Sequence, residues 1–208
     1  MTADGMTIAL FGATGGTGLQ VLEQALKGGY RVRALVRDTA KLAQRDGLTQ
    51  IQGDVLEGAD VERCVEGSDA VVCVLGTRPG AEPVEARGTE RILAAMHRHG
   101  VQRLIAVTSM GVGDSIDQVP GFFRVLMKLT LKRIMQAKEE QERLIMASGL
   151  DWTIVRPGGL TDGPLTGGYR SGLDKSIKAT RVSRADVADF IVRELAEGQY
   201  IGAAPAVS

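Results

Sequence analysis

The stretch TIALFGATGGTG, residues 7–18, decides the fold. Its first five residues favour a strand, and glycines then follow at positions 12, 15, 16 and 18. After them, apolar residues recur at helical spacing until Gly28 and Gly29. The stretch therefore predicts a strand, a tight glycine turn and a helix that begins at Thr17.

Short apolar runs alternate with amphipathic segments along the whole chain. The predicted strands are Thr7–Phe11, Arg31–Val36, Leu48–Gln52, Ala70–Leu75, Arg103–Thr108 and Asp151–Arg156. The predicted helices are Thr17–Lys27, Asp60–Val65, Thr89–His99, Phe122–Ala147 (with a break near Thr130) and Arg184–Ala196. This alternation indicates an α/β fold: a Rossmann-type doubly wound parallel sheet flanked by helices. We expect one domain over residues 1–208, with a flexible start at 1–5.

The composition excludes several classes of function. The 208 residues carry 25 basic and 25 acidic side chains, so no field of one sign favours nucleic acid or an anionic membrane. No apolar run approaches the ~18 residues of a membrane span, and no secretory signal pattern is found, so we expect a cytoplasmic protein. Cys64 and Cys73 lack metal-ligand spacing and are predicted core residues. His97 and His99 are predicted to end a helix, and no metal site is expected.

The glycine turn has the features of a phosphate-binding loop. It follows the first strand and opens the first helix, where free backbone N–H groups and the helix dipole attract an anion. The turn over Gly12–Gly18, with its glycines at 12, 15, 16 and 18, is therefore predicted to bind the phosphates. The alternative is a glycine-rich turn with no ligand.

The end of the second predicted strand bears on the choice of dinucleotide. A carboxylate at this position holds the 2′-hydroxyl of NAD, whereas cations hold the 2′-phosphate of NADP. Here Arg37 follows the strand, and Lys41 comes one turn later. Asp38 could oppose this assignment, but it is also a suitable helix cap. We therefore predict NADP(H) as cofactor, against the alternative that Arg37 is a solvated surface cation.

The later strands also end in small, polar or cationic clusters. Ligands of open α/β sheets bind at the carboxyl ends of the strands. The clusters are Gly53–Val55, Gly76–Gly80, Thr108–Gly111 and Arg156–Leu160. Each could be ordinary turn chemistry, but together they indicate one extended site.

These segments resemble a known family. The chain resembles the atypical short-chain dehydrogenase/reductase family of NAD(P)H-binding proteins in the segments Gly12–Gly18, Leu35–Asp38, Gly53–Val55 and Arg156–Gly158. Within that family it is nearest to the biliverdin-IXβ reductase, or flavin reductase, group, in the segments Gly53–Ala59, Asp69–Arg78 and Asp162–Tyr169. The resemblance covers nearly the whole chain. It implies an NADPH-dependent reductase of flavins, quinones or linear tetrapyrroles that is a monomer, with the flavin as substrate and not as bound cofactor.

The resemblance also implies roles for individual residues. Arg37 would take the 2′-phosphate, and Asp54 and Val55 would border the adenine. The residues implied around the phosphates are Gly12, Thr14, Gly15, Thr17 and Gly18, with Gly16 in the same turn. The residues implied around the nicotinamide are Leu75, Gly76, Thr77, Arg78, Thr108, Ser109, Pro157, Gly158 and Leu160. The chain departs from the biliverdin-IXβ reductase pattern at Gly16, where that group has a bulkier polar residue, and in the loop 158–160, where it has a histidine.

The chain lacks the Tyr-x-x-x-Lys pair of the best-known short-chain dehydrogenases. Lys138 occupies a suitable helical position, but Ile134 stands where the tyrosine would be. A positioned acid contributes about 10²–10⁴ in rate, so reduction of simple ketones should be slow. A conjugated aromatic acceptor spreads the charge itself. We predict catalytic roles for Arg78, which would stabilise negative charge, and for Ser109, which would hydrogen-bond the carboxamide or acceptor; the alternative for Ser109 is a turn hydroxyl bonded to backbone.

Two other functions compete with this prediction. A non-catalytic NADP(H)-sensing protein would need the same cofactor loop, but it would use the cofactor to control a partner. A nucleotide-sugar epimerase or dehydratase is disfavoured by the missing tyrosine–lysine pair.

Overall fold

The computed structural model describes residues 5–78, 80–122, 124 and 131–208. Its strands within these ranges are β1 (Thr7–Phe11), β2 (Arg31–Val36), β3 (Leu48–Gln52), β4 (Ala70–Cys73), β5 (Arg103–Val107), β6 (Asp151–Pro157), β7 (Gly159–Thr161), β8 (Ser171–Gly172), β9 (Arg181–Ser183) and β10 (Ala206–Val207). Its α-helices are α1 (Gly16–Lys27), α2 (Gly58–Val65), α3 (Glu85–His99), α4 (Lys132–Met146) and α5 (Arg184–Glu197). Short 3₁₀ turns cover Thr39–Lys41 and Gly113–Gln118.

The main sheet has the strand order β3-β2-β1-β4-β5-β6-β10-β8. Strands β1 to β6 and β10 are parallel, and β8 is antiparallel to β10. The predicted Rossmann-type sheet is confirmed, and all six predicted strands end within two residues of their observed bounds. The small strands β7 to β10 were not predicted, because two or three residues are too few to show a period.

Helices cover both faces of this sheet, which explains the apolar strands. Helices α1 and α5 share one hydrophobic cluster with one face, and α2, α3 and α4 share a second cluster with the other. All four residues of β4 are buried, as expected for a central parallel strand. Both cysteines are buried and free, as predicted, and burial raises the pKa of Cys64 to about 12.

One helix prediction needs a correction, at the start of α3, and another is described only in part. The helix predicted over Phe122–Ala147 is observed from Lys132 to Met146, and Phe122 and Arg124 are helical as well; residues 123 and 125–130, including the predicted break, lie outside the described residues. The helix predicted from Thr89 starts at Glu85, whose carboxylate binds the loop before the helix. This contact joins Thr77 and Glu85 across a loop, so no helical spacing in the sequence shows where α3 begins. Throughout the described ranges, no helix is long and apolar enough to cross a membrane.

Candidate functional site: the carboxyl edge of the parallel sheet

The turn after β1 accepts only glycine at two positions. Gly12 has φ +91°, and a Cβ there would lie 2.4 Å from the Val74 carbonyl oxygen. A Cβ on Gly18 would lie 2.0 Å from the Gly12 carbonyl oxygen. The amide of Gly15 donates to that same oxygen at 3.0 Å, which closes the turn. The glycines therefore let α1 start directly behind β1.

The N-terminus of α1 has no cap of its own. Gly15 occupies the cap position without a side-chain hydrogen bond, and the first turn has no acidic residue. By contrast, α5 is capped by Ser183, whose hydroxyl accepts from the Asp186 amide at 2.9 Å. The loop from Thr14 to Gly16 is exposed. The first-turn amides of α1 thus fit an anion such as the diphosphate of a dinucleotide.

The predicted site residues follow neighbouring strands along one edge of the sheet. Hydrogen bonds tie the strand ends together: Val74 N–H donates to Phe11 at 2.9 Å, and Met110 N–H donates to Pro157 at 2.9 Å. Strand order reverses between β1 and β4, because β2 and β3 lie on one side of β1 and the later strands on the other. A dinucleotide binds at such a switch point in open α/β sheets.

Gly88 in α3 packs against two of the predicted cofactor residues, Leu75 and Val55. A Cβ on Gly88 would lie 2.8 Å from the Leu75 side chain and 3.1 Å from that of Val55. The turn before Val55 is fixed separately, since the Asp54 amide donates to the Asp60 carboxylate at 2.8 Å. Sequence analysis missed Gly88; the signal was a glycine inside a helical pattern.

The end of β2 presents cations to solvent. Arg37 is exposed and has no hydrogen bond or ion pair within the part of the chain that the structure describes. The Asp38 carboxylate accepts from the Ala40 amide at 3.1 Å and caps the 3₁₀ turn, as sequence analysis allowed. Lys41 ends that turn and is exposed. Asp38 is the sole carboxylate of residues 37–41, and it is used as a cap.

Two threonines predicted as site residues, Thr77 and Thr108, donate hydrogen bonds to buried carboxylates. The amide and hydroxyl of Thr77 donate to Glu85 at 3.0 and 2.7 Å. The hydroxyl of Thr108 donates to Glu142 at 2.6 Å. Both glutamates are buried, and neither was singled out from sequence. The side chains of Thr77 and Thr108 therefore hold their loops in place, and the Thr108 amide is engaged as well, by the Val155 carbonyl at 2.9 Å.

Glu142 belongs to a charge network behind the ends of β5 and β6. Arg156 donates to Glu142 through two nitrogens, and its third contact reaches Asp114 at 2.6 Å. Lys175 also pairs with Asp114. The hydrogen bond from Lys175, with that from Arg156, lowers the pKa of Asp114 to about 2. The network fixes α4, β6 and the 3₁₀ turn relative to one another.

The two predicted catalytic residues differ in whether the side chain already has a hydrogen-bond partner among the described residues. The Ser109 hydroxyl is partly buried and donates to the Met110 carbonyl at 3.0 Å, the turn contact given above as its alternative. Arg78 is exposed, and its guanidinium has no partner among the described residues. Arg78 is therefore free to meet an acceptor, whereas Ser109 must exchange one hydrogen bond for another.

Lys138 lies on α4 close to both buried glutamates. Burial lowers the pKa of its ammonium, and the charges of Glu85, Cys73 and Glu142 act in the opposite direction. Ile134, one turn earlier, is partly buried. The structure thus supplies a partly buried cation near the ends of β4 and β5, but no phenol beside it.

The tyrosines lie away from this edge. Tyr30 is a core residue at 4% exposure. The Tyr169 hydroxyl donates to Asp189 at 2.7 Å, and the rings of Tyr169 and Tyr200 pack on Phe190 of α5. None of them is therefore placed as an acid beside Lys138.

The remaining predicted residues lie at the end of β6. Pro157 is buried, and Leu160 is 38% exposed. A Cβ on Gly158 would lie 2.4 Å from the Thr180 carbonyl oxygen, so packing alone requires a glycine here.

A separate groove of about 910 Å³ lies beside α4 and β6, and no predicted site residue lines it. In the ranges described, no cluster of three His, Cys, Asp or Glu residues could hold a metal.

Comparison with known proteins defines the class. A family model described as NAD(P)H-binding matches residues 12–198. An uncharacterized chloroplastic protein of Arabidopsis thaliana is 37% identical over 199 residues, covering 88% of this chain and 70% of that protein. The photosystem II assembly factor Ycf39 of Cyanophora paradoxa is 26% identical and covers 91% of this chain, which spans 59% of that factor.

Solved structures agree with the family match. ChuY, an anaerobillin reductase of Escherichia coli O157:H7, has a TM-score of 0.81 and 27% identity, covering 97% of this chain and 96% of that one. The chain therefore belongs to the NAD(P)H-binding family and is a Rossmann protein of the atypical short-chain dehydrogenase/reductase type. The loop 12–18 with the uncapped start of α1 is the part that fits the cofactor diphosphate.

Proposed function

We propose that the protein is an NADPH-dependent reductase of a conjugated aromatic acceptor: a flavin such as FMN or riboflavin, a quinone or a biliverdin-like tetrapyrrole. The observation that carries the proposal is the site beside Lys138, where Ile134 replaces an acid and the tyrosines pack elsewhere. Without a positioned acid, the favoured acceptor is one that delocalises the charge it receives and takes its proton from solvent.

The cofactor preference follows from the end of β2. Arg37 is exposed and its side chain has no partner among the described residues, and Asp38 is occupied as a cap. A 2′-phosphate would therefore meet a guanidinium and not a carboxylate. Arg37 can hold phosphate through two parallel N–H groups, and Lys41 adds a point charge. Bound NADPH would supply the hydride.

The protein's own groups would position the reactants. The glycine loop and the α1 amides would hold the diphosphate, and the loops after β4, β5 and β6 would border the nicotinamide. Arg78 would attract a phosphate, propionate or developing negative charge, and Ser109 would hydrogen-bond the carboxamide or the acceptor. The similarity to an anaerobillin reductase supports the tetrapyrrole among these acceptors. We propose that it acts as a cytoplasmic monomer.

The test is NADPH oxidation by the purified protein with FMN, riboflavin, quinones and linear tetrapyrroles. We expect turnover that saturates with at least one of these acceptors and exceeds the uncatalysed rate. The second candidate is an NADP(H)-sensing binding protein, favoured by the similarity to an assembly factor. Tight NADPH binding without turnover on the whole panel would reject the reductase and favour the sensor.

A further inference from the structure

One arginine from the far end of the chain lies on the phosphate-binding loop. Arg184 is the first residue of α5, and a Cβ on Gly16 would lie 2.7 Å from its Cδ and 2.9 Å from its Nε. The Arg184 side chain therefore fills the space that any side chain at position 16 would need. A hydrogen bond holds the start of α5 against α1 beside this contact, because the Gln24 side chain donates to the Ala185 carbonyl at 2.8 Å.

Among the described residues, the guanidinium of Arg184 has one hydrogen-bond partner, the carboxylate of Asp162. Its Nη1 donates to Asp162 at 2.6 Å, and Asp162 is 89% exposed while Arg184 is 28% exposed. Within the described residues, its other N–H groups have no partner. Because an exposed ion pair contributes at most about 1 kcal/mol, Asp162 is a weak competitor for a stronger anion.

Arg184 is placed for a different part of the cofactor than Arg37. Gly16 is the first residue of α1, next to the uncapped amides that fit a diphosphate. Arg37 follows β2, where the 2′-phosphate is expected. A guanidinium over Gly16 can offer a phosphate two parallel N–H groups in addition to the α1 amides.

We propose that Arg184 is a ligand of the cofactor diphosphate and that Asp162 is its counter-ion when no nucleotide is bound. Gly16 is then required for space as much as for backbone freedom, since a side chain there would displace Arg184. The inference rests on the dinucleotide binding that the proposed function also uses. The proposal for Arg184 concerns nucleotide affinity alone, so titration can reject it whether or not the protein turns over an acceptor.

The experiment is titration of NADPH, NADH and adenosine 2′-monophosphate into wild type and variants. Because both dinucleotides share the diphosphate, Arg184→Ala should weaken NADPH and NADH by the same factor, about tenfold or more, with adenosine 2′-monophosphate unchanged. Asp162→Asn should tighten both dinucleotides, and Arg184→Lys should be intermediate. Arg193→Ala, which removes an exposed arginine from the same helix, is the matched control and should change nothing.

Two results would overturn the assignment. If Arg184→Ala binds both dinucleotides within twofold of wild type, Arg184 is not a ligand. If it weakens NADPH alone, Arg184 holds the 2′-phosphate instead. Thermal unfolding without nucleotide checks that each variant is folded. Should Arg184→Ala not fold, Arg184→Lys and Asp162→Asn still decide the question, because unchanged dinucleotide affinity in both would reject the proposal.

Discussion

Glu142 of α4 accepts two hydrogen bonds from Arg156 of β6, at 3.0 Å from Nε and 2.6 Å from Nη2, and both side chains are 4% exposed. Glu142 also accepts from Thr108 at the end of β5. One buried carboxylate thus links α4 to two strand ends of the cofactor edge. The geometry makes this pair costly to break, because each charge has the other as its principal compensation.

We predict that Glu142→Ala lowers the free energy of unfolding by about 3–5 kcal/mol, since it leaves the Arg156 charge buried. The double variant Glu142→Leu, Arg156→Met should regain most of this loss. Glu140→Ala breaks an exposed pair with Arg143 on the same helix and should change the free energy of unfolding little, because solvent screens the pair. Denaturant unfolding measures all three, and equal losses for Glu142→Ala and Glu140→Ala would contradict the prediction.

Asp114 should give a pH-dependent contribution to stability. Its folded pKa of about 2 lies below the usual value of about 3.9, so the ionised form stabilises the native state. The contribution is present above about pH 4 and is lost as pH falls towards 2. It should not exceed about 1 kcal/mol, because the side chain is 69% exposed.

The measurement compares unfolding of wild type and Asp114→Asn between pH 2 and 6. The difference between the two should shrink as the pH falls. Asp46→Asn removes an exposed carboxylate that has no ion pair within the described residues, and serves as control. A difference for Asp114→Asn that stays constant over this range would count against the assignment.

Arg37 should set the preference for the phosphorylated dinucleotide. We expect wild type to prefer NADPH over NADH, and Arg37→Asp to remove or invert that preference. Charge-assisted bonds to phosphate of about 1.5–3 kcal/mol correspond to roughly ten- to a hundredfold in affinity. Arg31→Asp, at the amino end of the same strand, should keep the preference. Equal affinity of the native protein for both nucleotides would show that Arg37 is only a surface cation.

Arg78 and Ser109 should act on the acceptor more than on the cofactor. Arg78→Ala and Ser109→Ala are each expected to lower turnover with a flavin or quinone more than they weaken NADPH binding. Arg91→Ala, an exposed arginine of α3, is the control. Steady-state rates and nucleotide titrations together test the assignment. A variant that loses only cofactor affinity would identify its residue as a dinucleotide ligand.

Much of the fold could be predicted because its signals are local. The run Ala70–Leu75 is apolar on both faces, and its observed strand β4 is buried throughout. The glycines of the first turn could also be predicted, since a positive φ at Gly12 and the contact of Gly18 with Gly12 involve neighbours in sequence. The start of α3 at Glu85 could not be predicted from apolar spacing, because the first turn of that helix is defined by the contact of Glu85 with the loop at Thr77.

The sequence by itself determined the alternation of strands and helices, the position of the glycine turn between β1 and α1, and the cations after β2. Each of these depends on residues within a few positions of one another. Only the tertiary structure decided that Thr108 is bound by Glu142 and that Arg184 covers Gly16, contacts across 34 and 168 residues. The burial and the partners of a charge are set by how distant elements pack, and no local pattern carries that information.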